Sequence, residues 1–259
     1  MASFLAIETS TPACSVALMV DGAMTSRYSE EPRSHTRLVM AMVNELLSES
    51  NQTVQQLDAI GVTIGPGSFT GLRIGFATVQ GLAFGGDVPV VASSTLEIMV
   101  ATYLRKHCAD QSDNESDHKV AAKIAAKIAD KSESKSTQGN TIVAILDARM
   151  GEFNCGCYQV GAYGELEALT ADQLLSAEQT VAFIEKHQPQ MVIGEAGRLV
   201  EDNAEKVPCF TPVFPDAIDV LARTAAQHNK GLAQPIDSIE LVYLRGTDAW
   251  QKRKRLRAL

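Results

Sequence analysis

No apolar run in this chain approaches the roughly 20 residues of a membrane span. The longest apolar stretches are strand-length and broken by glycine or polar residues. The opening residues, Met1-Ala2-Ser3-Phe4-Leu5-Ala6-Ile7-Glu8, carry no basic segment and reach an acid at once, so they do not read as a secretory signal. Cysteines are five, odd in number and scattered (Cys14, Cys108, Cys155, Cys157, Cys209), which speaks for reduced thiols and a cytoplasmic protein. His35, His107, His118, His187 and His228 stand apart, with no second histidine at ligand spacing, so no metal site is expected. Positive charge is in deficit. A net charge of -8 excludes a surface that binds nucleic acid everywhere. What remains is ordinary for a globular chain: 259 residues, 45% hydrophobic and 21% charged, enough for one large domain or two small ones.

The first third reads as strand, turn, strand, turn, strand. Phe4–Ile7 ends at Glu8, Cys14–Val20 resumes the strand, and Asp21-Gly22 is a hairpin signal. Leu38, Met42, Val43, Leu46 and Leu47 recur at helical spacing after Ser34. A short strand over 57–64 breaks at Gly65-Pro66-Gly67, and Ser68 can cap a helix over Phe69–Phe84 that Gly85-Gly86 can end. A strand at Val88–Ala92 and a helix through Leu96, Met99, Val100 and Leu104 follow. The plan then recurs. Ile142–Leu146 ends at Asp147 as the first strand ended at Glu8, Phe153–Val160 resumes, Tyr163-Gly164 can make the hairpin turn, and a helix lies near Ser176–Lys186. Met191 to Gly197 echoes Val62 to Gly67, and a helix near Asp216–His228 closes the second round. This repeat predicts a duplicated α/β fold with a crevice between its halves. The expected divisions are 1–107 for the first half, 108–139 for a polar insertion with lysines every four residues, and 140–259 for the second half.

Five features bear on chemistry or packing. Glu8 with Thr9, Ser10 and Thr11 could hold Mg²⁺ or orient water beside a phosphate, or could simply cap a turn. The run Gly65-Pro66-Gly67-Ser68-Phe69-Thr70-Gly71 opens a helix whose N-terminus suits an anion, or makes only a tight turn. No lysine follows its last glycine, which excludes a Walker A loop, and no G-x-S-x-G elbow exists. The helix after it carries Gly71, Gly75 and Thr78 on one face, and each interior glycine costs roughly 1 kcal/mol against alanine. Close approach of another helix is the expected compensation, with the helix after Ser34 as the neighbour and a further chain as its partner. Lys252, Arg253, Lys254, Arg255 and Arg257 make a basic tail, read either as a solvated end or as an arm for RNA phosphates. Cys155 and Cys157 share one strand face and read as core thiols.

Several runs resemble the TsaB (YeaZ) family. They are Ile7-Glu8-Thr9-Ser10 with Cys14-Ser15-Val16-Ala17-Leu18, Arg33-Ser34-His35, Gly65 through Gly75, Asp147-Ala148-Arg149-Met150-Gly151-Glu152, and Val242-Tyr243-Leu244-Arg245. The resemblance spans nearly the whole chain except about 108–139. It implies a duplicated actin/Hsp70/sugar-kinase-like (ribonuclease H-like) fold. It also implies a non-catalytic subunit that binds and activates TsaD, the subunit that makes N6-threonylcarbamoyladenosine in tRNA. Thr95 and Met99 stand where that catalytic relative has metal-binding histidines, with Glu97 between them. The interface expected from the resemblance and the glycine stripe comprises His35, Leu38, Val39, Met42, Leu46, Gly71, Leu72, Gly75, Thr78 and Leu82. A vestigial nucleotide pocket is expected at Glu8, Thr9, Ser10, Gly65, Gly67 and Ser68, with Glu195 repelling phosphate in the second glycine turn. The implied partners are TsaD, TsaE in a larger assembly, a second copy when alone, and tRNA through the complex or the basic tail. No cofactor is required, and ATP or ADP near the partner interface is the candidate ligand. An ATPase of the same fold and a glycoprotease-like peptidase are the other readings.

Overall fold

A computed structural model describes residues 2–109, 140–161, 164–207 and 209–245. Tyr163, residues 110–139 with their lysine rhythm, and the basic Lys252, Arg253, Lys254, Arg255 and Arg257 lie outside the described residues.

Two mixed sheets carry the repeat. The first holds β1 (Ser3–Glu8), β2 (Cys14–Val20), β3 (Ala23–Ser29), β4 (Ala59–Gly65) and β5 (Val90–Ser94), in the order β3-β2-β1-β4-β5. The second holds β6 (Asn140–Asp147), β7 (Glu152–Val160), β8 (Leu166–Ala168), β9 (Gln173–Ser176), β10 (Met191–Glu195) and β11 (Phe210–Thr211). Its order is β11-β10-β6-β7-β8, with β9 also on β7. In each, an antiparallel hairpin precedes a parallel crossover: β1 pairs β2 antiparallel and β4 parallel, and β6 pairs β7 antiparallel and β10 parallel. The equivalence reaches single residues. Gly65 and Gly194, which lie at the ends of the matching strands (Gly65 last, Gly194 last but one), have φ of +121° and +120°. Glu8 and Asp147 each accept the backbone N–H two residues on, Ser10 at 2.5 Å and Arg149 at 2.6 Å.

The helices are α1 (His35–Glu49), α2 (Phe69–Gly86), α3 (Thr95–Ala109), α4 (Ala177–His187), α5 (Gly197–Asp202) and α6 (Ala217–Asn229). Ser68 does cap α2, accepting from Gly71 N at 3.2 Å, but the helix runs through Gly86 and ends on Asp87 in the left-handed region. No described helix is long and apolar enough to cross a membrane.

Central strands are apolar throughout because both sheet faces are covered. Leu5 and Ile7 face α1 and α2, while Phe4 and Ala6 face α6. Likewise Val143 and Ile145 face α4 and α5, while Ile142, Ala144 and Leu146 face Leu96, Met99 and Val100 of α3. Packing therefore does not follow chain order. The helix that closes the first half covers the second sheet, and α6 from the second half covers the first. The two crossing helices meet in a buried polar seam. Arg105, 2% exposed, donates to Asp219 at 3.0 and 3.1 Å and to Asp216 at 3.1 Å, and Thr102 Oγ1 donates to Asp219 at 2.7 Å. The seam reaches the first sheet where Ala217 N donates to Ser15 Oγ at 2.9 Å.

Candidate functional site

A crevice of about 1030 Å³ runs between the halves. The β1–β2 turn, the start of α1 and the β4–α2 turn form one wall, and the β6–β7 turn with Glu195 forms the other. Segment 242–245 lies along its mouth. The β1–β2 turn is pinned from two sides. His35 Nε2 donates to the carbonyls of Thr11 at 2.9 Å and Ala13 at 3.1 Å, which fixes its tautomer. Ser68 N donates to Ser10 O at 2.7 Å, and Thr9 Oγ1 donates to Gly71 O at 2.8 Å.

That docking explains the glycine stripe differently from the sequence expectation. A Cβ on Gly67 would lie 2.4 Å from Ser10 O, and one on Gly71 2.1 Å from Thr9 O. One on Gly75 would lie 2.2 Å from Thr9 Oγ1. The backbone that approaches α2 is a turn of the same chain, not a second helix. A Cβ on Gly81 or Gly85 meets nothing within 4 Å.

The expected nucleotide pocket is only partly assembled. Ser10, Gly67 and Ser68 line the crevice. Thr9 is buried beneath α2, and Gly65 is buried with Val242 O lying 2.5 Å from where its Cβ would be. Glu8 is 0% exposed, its Oε1 taken by the N–H and hydroxyl of Ser10 at 2.5 Å each. Burial pushes its carboxyl up to about 7, against the pull of the Ser10 hydrogen bond. Glu8 thus works as a turn-forming acid inside the core, and sits behind the crevice wall rather than at a phosphate. Four arginines line the space (Arg33, Arg73, Arg149, Arg245) against the carboxylates Asp147 and Glu195, a local excess of positive charge on an acidic chain. Glu195 is where the sequence places it, half-buried on the crevice wall, and burial raises its carboxyl.

The expected interface residues need a like correction. Val39, Met42 and Leu46 point into the core with Leu5 and Ile7, and His35 holds the turn. Gly71, Leu72 and Gly75 are buried within the chain, and Leu38, Thr78 and Leu82 are half-buried. Helical spacing identified the sheet-facing stripe of each helix, which is the stripe a fold needs first. Beyond its first turn and Arg73, α2 offers Ala77, Gln80, Gly81, Phe84 and Gly85 to solvent, with Phe84 82% exposed and Met40 of α1 39% exposed. The sequence signal for this face was α2 itself, which carries a single charge, Arg73, among 18 residues. A helix apolar on every side is normally covered on every side.

Thr95 and Met99 are both 0% exposed, and Met99 packs with Ile142, Ala144 and Ile193 against Gly194. Glu97 faces a separate polar pocket, pairing with Arg223 at 2.9 Å near Asp172, Ser94 and Tyr158. Ser68 is spent on capping and His35 on two carbonyls, so these two make no nucleophile–base pair. Cys155 and Cys157 are buried, with burial pushing their thiols up to about 12 and about 11.

Comparison with known proteins places this geometry. Residues 29–110, which hold α1, α2 and α3, match the family model described as TsaD: tRNA N6-adenosine threonylcarbamoyltransferase. The tRNA threonylcarbamoyladenosine biosynthesis protein TsaB of Escherichia coli is 29% identical over 96% of this chain and 96% of its own length. Its Bacillus subtilis counterpart is 29% identical over 88% of this chain and 82% of its own. The solved structure of YeaZ from Pseudomonas aeruginosa superimposes with a TM-score of 0.72 at 29% identity, covering 94% of this chain and all of that one. Over nearly its full length, in sequence and in its actin-like, ribonuclease H-like architecture, this chain is similar to the TsaB/YeaZ proteins.

Proposed function

We propose that this chain serves the synthesis of threonylcarbamoyladenosine in tRNA as a non-catalytic partner that binds and activates a TsaD-like subunit. The exposed face of α2 with the adjoining edge of α1 is the contact surface. The carrying observation is Phe84, 82% exposed beside Ala77 and Gly81 on a helix with one charge. Such a face loses free energy to water at every apolar side chain, roughly 25 cal/mol per Å², and Gly81 leaves room for a second backbone to approach. The match of residues 29–110 to the TsaD model supports a paired arrangement, because two subunits sharing these helices can meet face to face. The core positions of Thr95 and Met99 support the non-catalytic role, since neither offers a metal ligand to the crevice. A homodimer through the same face, TsaE as a third subunit and tRNA bound through the complex belong to this reading.

The test is co-purification with the TsaD homologue of the same organism. Phe84→Asp should abolish the complex while leaving the thermal transition of the free chain in place. Undiminished co-purification would overturn the assignment of this face.

A second reading, nucleotide binding without hydrolysis, is favoured by the four crevice arginines. Calorimetric titration with ATP and ADP tests it, with Arg33→Ala expected to weaken any heat signal.

A further inference from the structure

Two runs far apart in sequence, Asp147–Glu152 and Val242–Arg245, meet at the mouth of the crevice. The first is the β6–β7 turn of the second half. It is built against ordinary backbone preference at Arg149 and Met150, with φ of +67° and +60°, before Gly151 at +78°, where glycine is at ease. Left-handed backbone costs a residue with a side chain roughly 1–2 kcal/mol. Asp147 offsets part of this by accepting Arg149 N at 2.6 Å. The carbonyls of Ala148 and Arg149 are met from outside the turn, by Arg245 Nη2 at 3.1 Å each. The same guanidinium pairs with Glu152, and its Nη1 lies 3.4 Å from Met150 Sδ. One planar side chain thus meets four of the five residues from Ala148 to Glu152 in a strained turn, a task its fixed fork of donors suits.

The segment that delivers Arg245 is anchored in the other half. Val242 N donates to Ile64 O at 2.8 Å, extending the end of β4, and Gly65 is bare because Val242 O lies over it. Tyr243 packs against Phe69 of α2 with its ring tilted by 44°, centroids 5.5 Å apart, and its hydroxyl accepts from Arg73 Nε at 3.2 Å. Arg73 in turn lies 3.7 Å over the Phe69 ring. The strap therefore ties the first turns of α2 to the β6–β7 turn across the crevice.

The geometry points to Arg245 as a clasp: through Val242 and Tyr243 it couples the β6–β7 turn of the second half to the start of α2, so that crevice width and the attitude of α2 are set together. The coupling is a property of the fold and stands apart from the partner assignment. Where that assignment also holds, the clasp orients the partner-facing helix.

Hydrogen exchange by mass spectrometry on the full chain tests it without any partner. Arg245→Ala should speed exchange at residues 148–152 about tenfold and also speed it at 68–73, with β1 and β6 unchanged. The discriminating variant is Tyr243→Ala, which touches only the first-half anchor. A clasp requires that it, too, speed exchange at 148–152. If Tyr243→Ala leaves that turn as protected as in the parent chain, the strap transmits nothing and the proposal fails. Should Arg245→Ala loosen the whole molecule, Glu152→Gln removes the ion pair alone. It must then reproduce the two-segment pattern at smaller amplitude, and a response confined to 148–152 would contradict coupling.

Discussion

Gly75 and Thr9 are packed so closely that a Cβ on the glycine would lie 2.2 Å from the threonine Oγ1. This contact, with the Thr9–Gly71 hydrogen bond at 2.8 Å, seats the β1–β2 turn on α2. In a free helix, replacing Gly75 by alanine would gain roughly 1 kcal/mol. Here the overlap dominates, and overpacking of this kind costs about 1–3 kcal/mol. Gly75→Ala should therefore lower the urea midpoint of the free chain, and Gly75→Leu should lower it further. Gly81→Ala, with open space around it, should leave the midpoint unchanged or raise it. A Gly75→Leu chain as stable as the parent would contradict the packing described.

Glu8 carries a pH signature. Its carboxyl is raised from 4.5 to about 7 by burial, so the folded chain binds this proton more tightly than the unfolded chain. Stability from this group is fully present below pH about 4.5 and falls as pH rises toward about 7. The whole span corresponds to about 3 kcal/mol as an upper scale. Urea midpoints measured at several pH values should decline less steeply across this window in Glu8→Gln than in the parent. Parallel profiles would place Glu8 in water.

The seam between α3 and α6 concentrates charge. Removing Arg105 would leave Asp216 and Asp219 buried without their cation, a loss of about 3–5 kcal/mol for a broken buried pair. Arg105→Met should accordingly unfold at much lower denaturant, and the deficit should widen as pH rises and the Asp219 carboxyl, raised by burial, ionises. Asp219→Asn in the same background should recover part of it. No recovery would mean that the arginine stem, rather than its charge, carries the seam.

Much of this architecture was legible in the chain. Phe4–Ile7 and Ile142–Leu146 are apolar at every step because their strands are covered on both faces, and the two glycine turns betray the repeat. What covers each face was not legible. Periodicity shows that Leu96, Met99 and Val100 need burial, but not that the second sheet provides it. The same limit misassigned Val39, Met42 and Leu46, which satisfy helical spacing by facing their own core, while Phe84 belongs to no periodic stripe. The glycines were recognised as close-approach positions, yet their neighbour lies some sixty residues upstream in a turn whose docking no local pattern encodes. Nor could Val242–Arg245 be joined to Asp147–Glu152 before their contacts were seen.

The exposed face of α2 carries the proposed partnership. Light scattering after size exclusion, on this chain mixed with the TsaD homologue of its own organism, tests that face directly. A species at the summed mass is expected, lost in Phe84→Asp and kept in Leu169→Asp, an exposed position beside β8 of the second sheet. Unmixed masses with the parent chain, or a complex that survives Phe84→Asp, would contradict it.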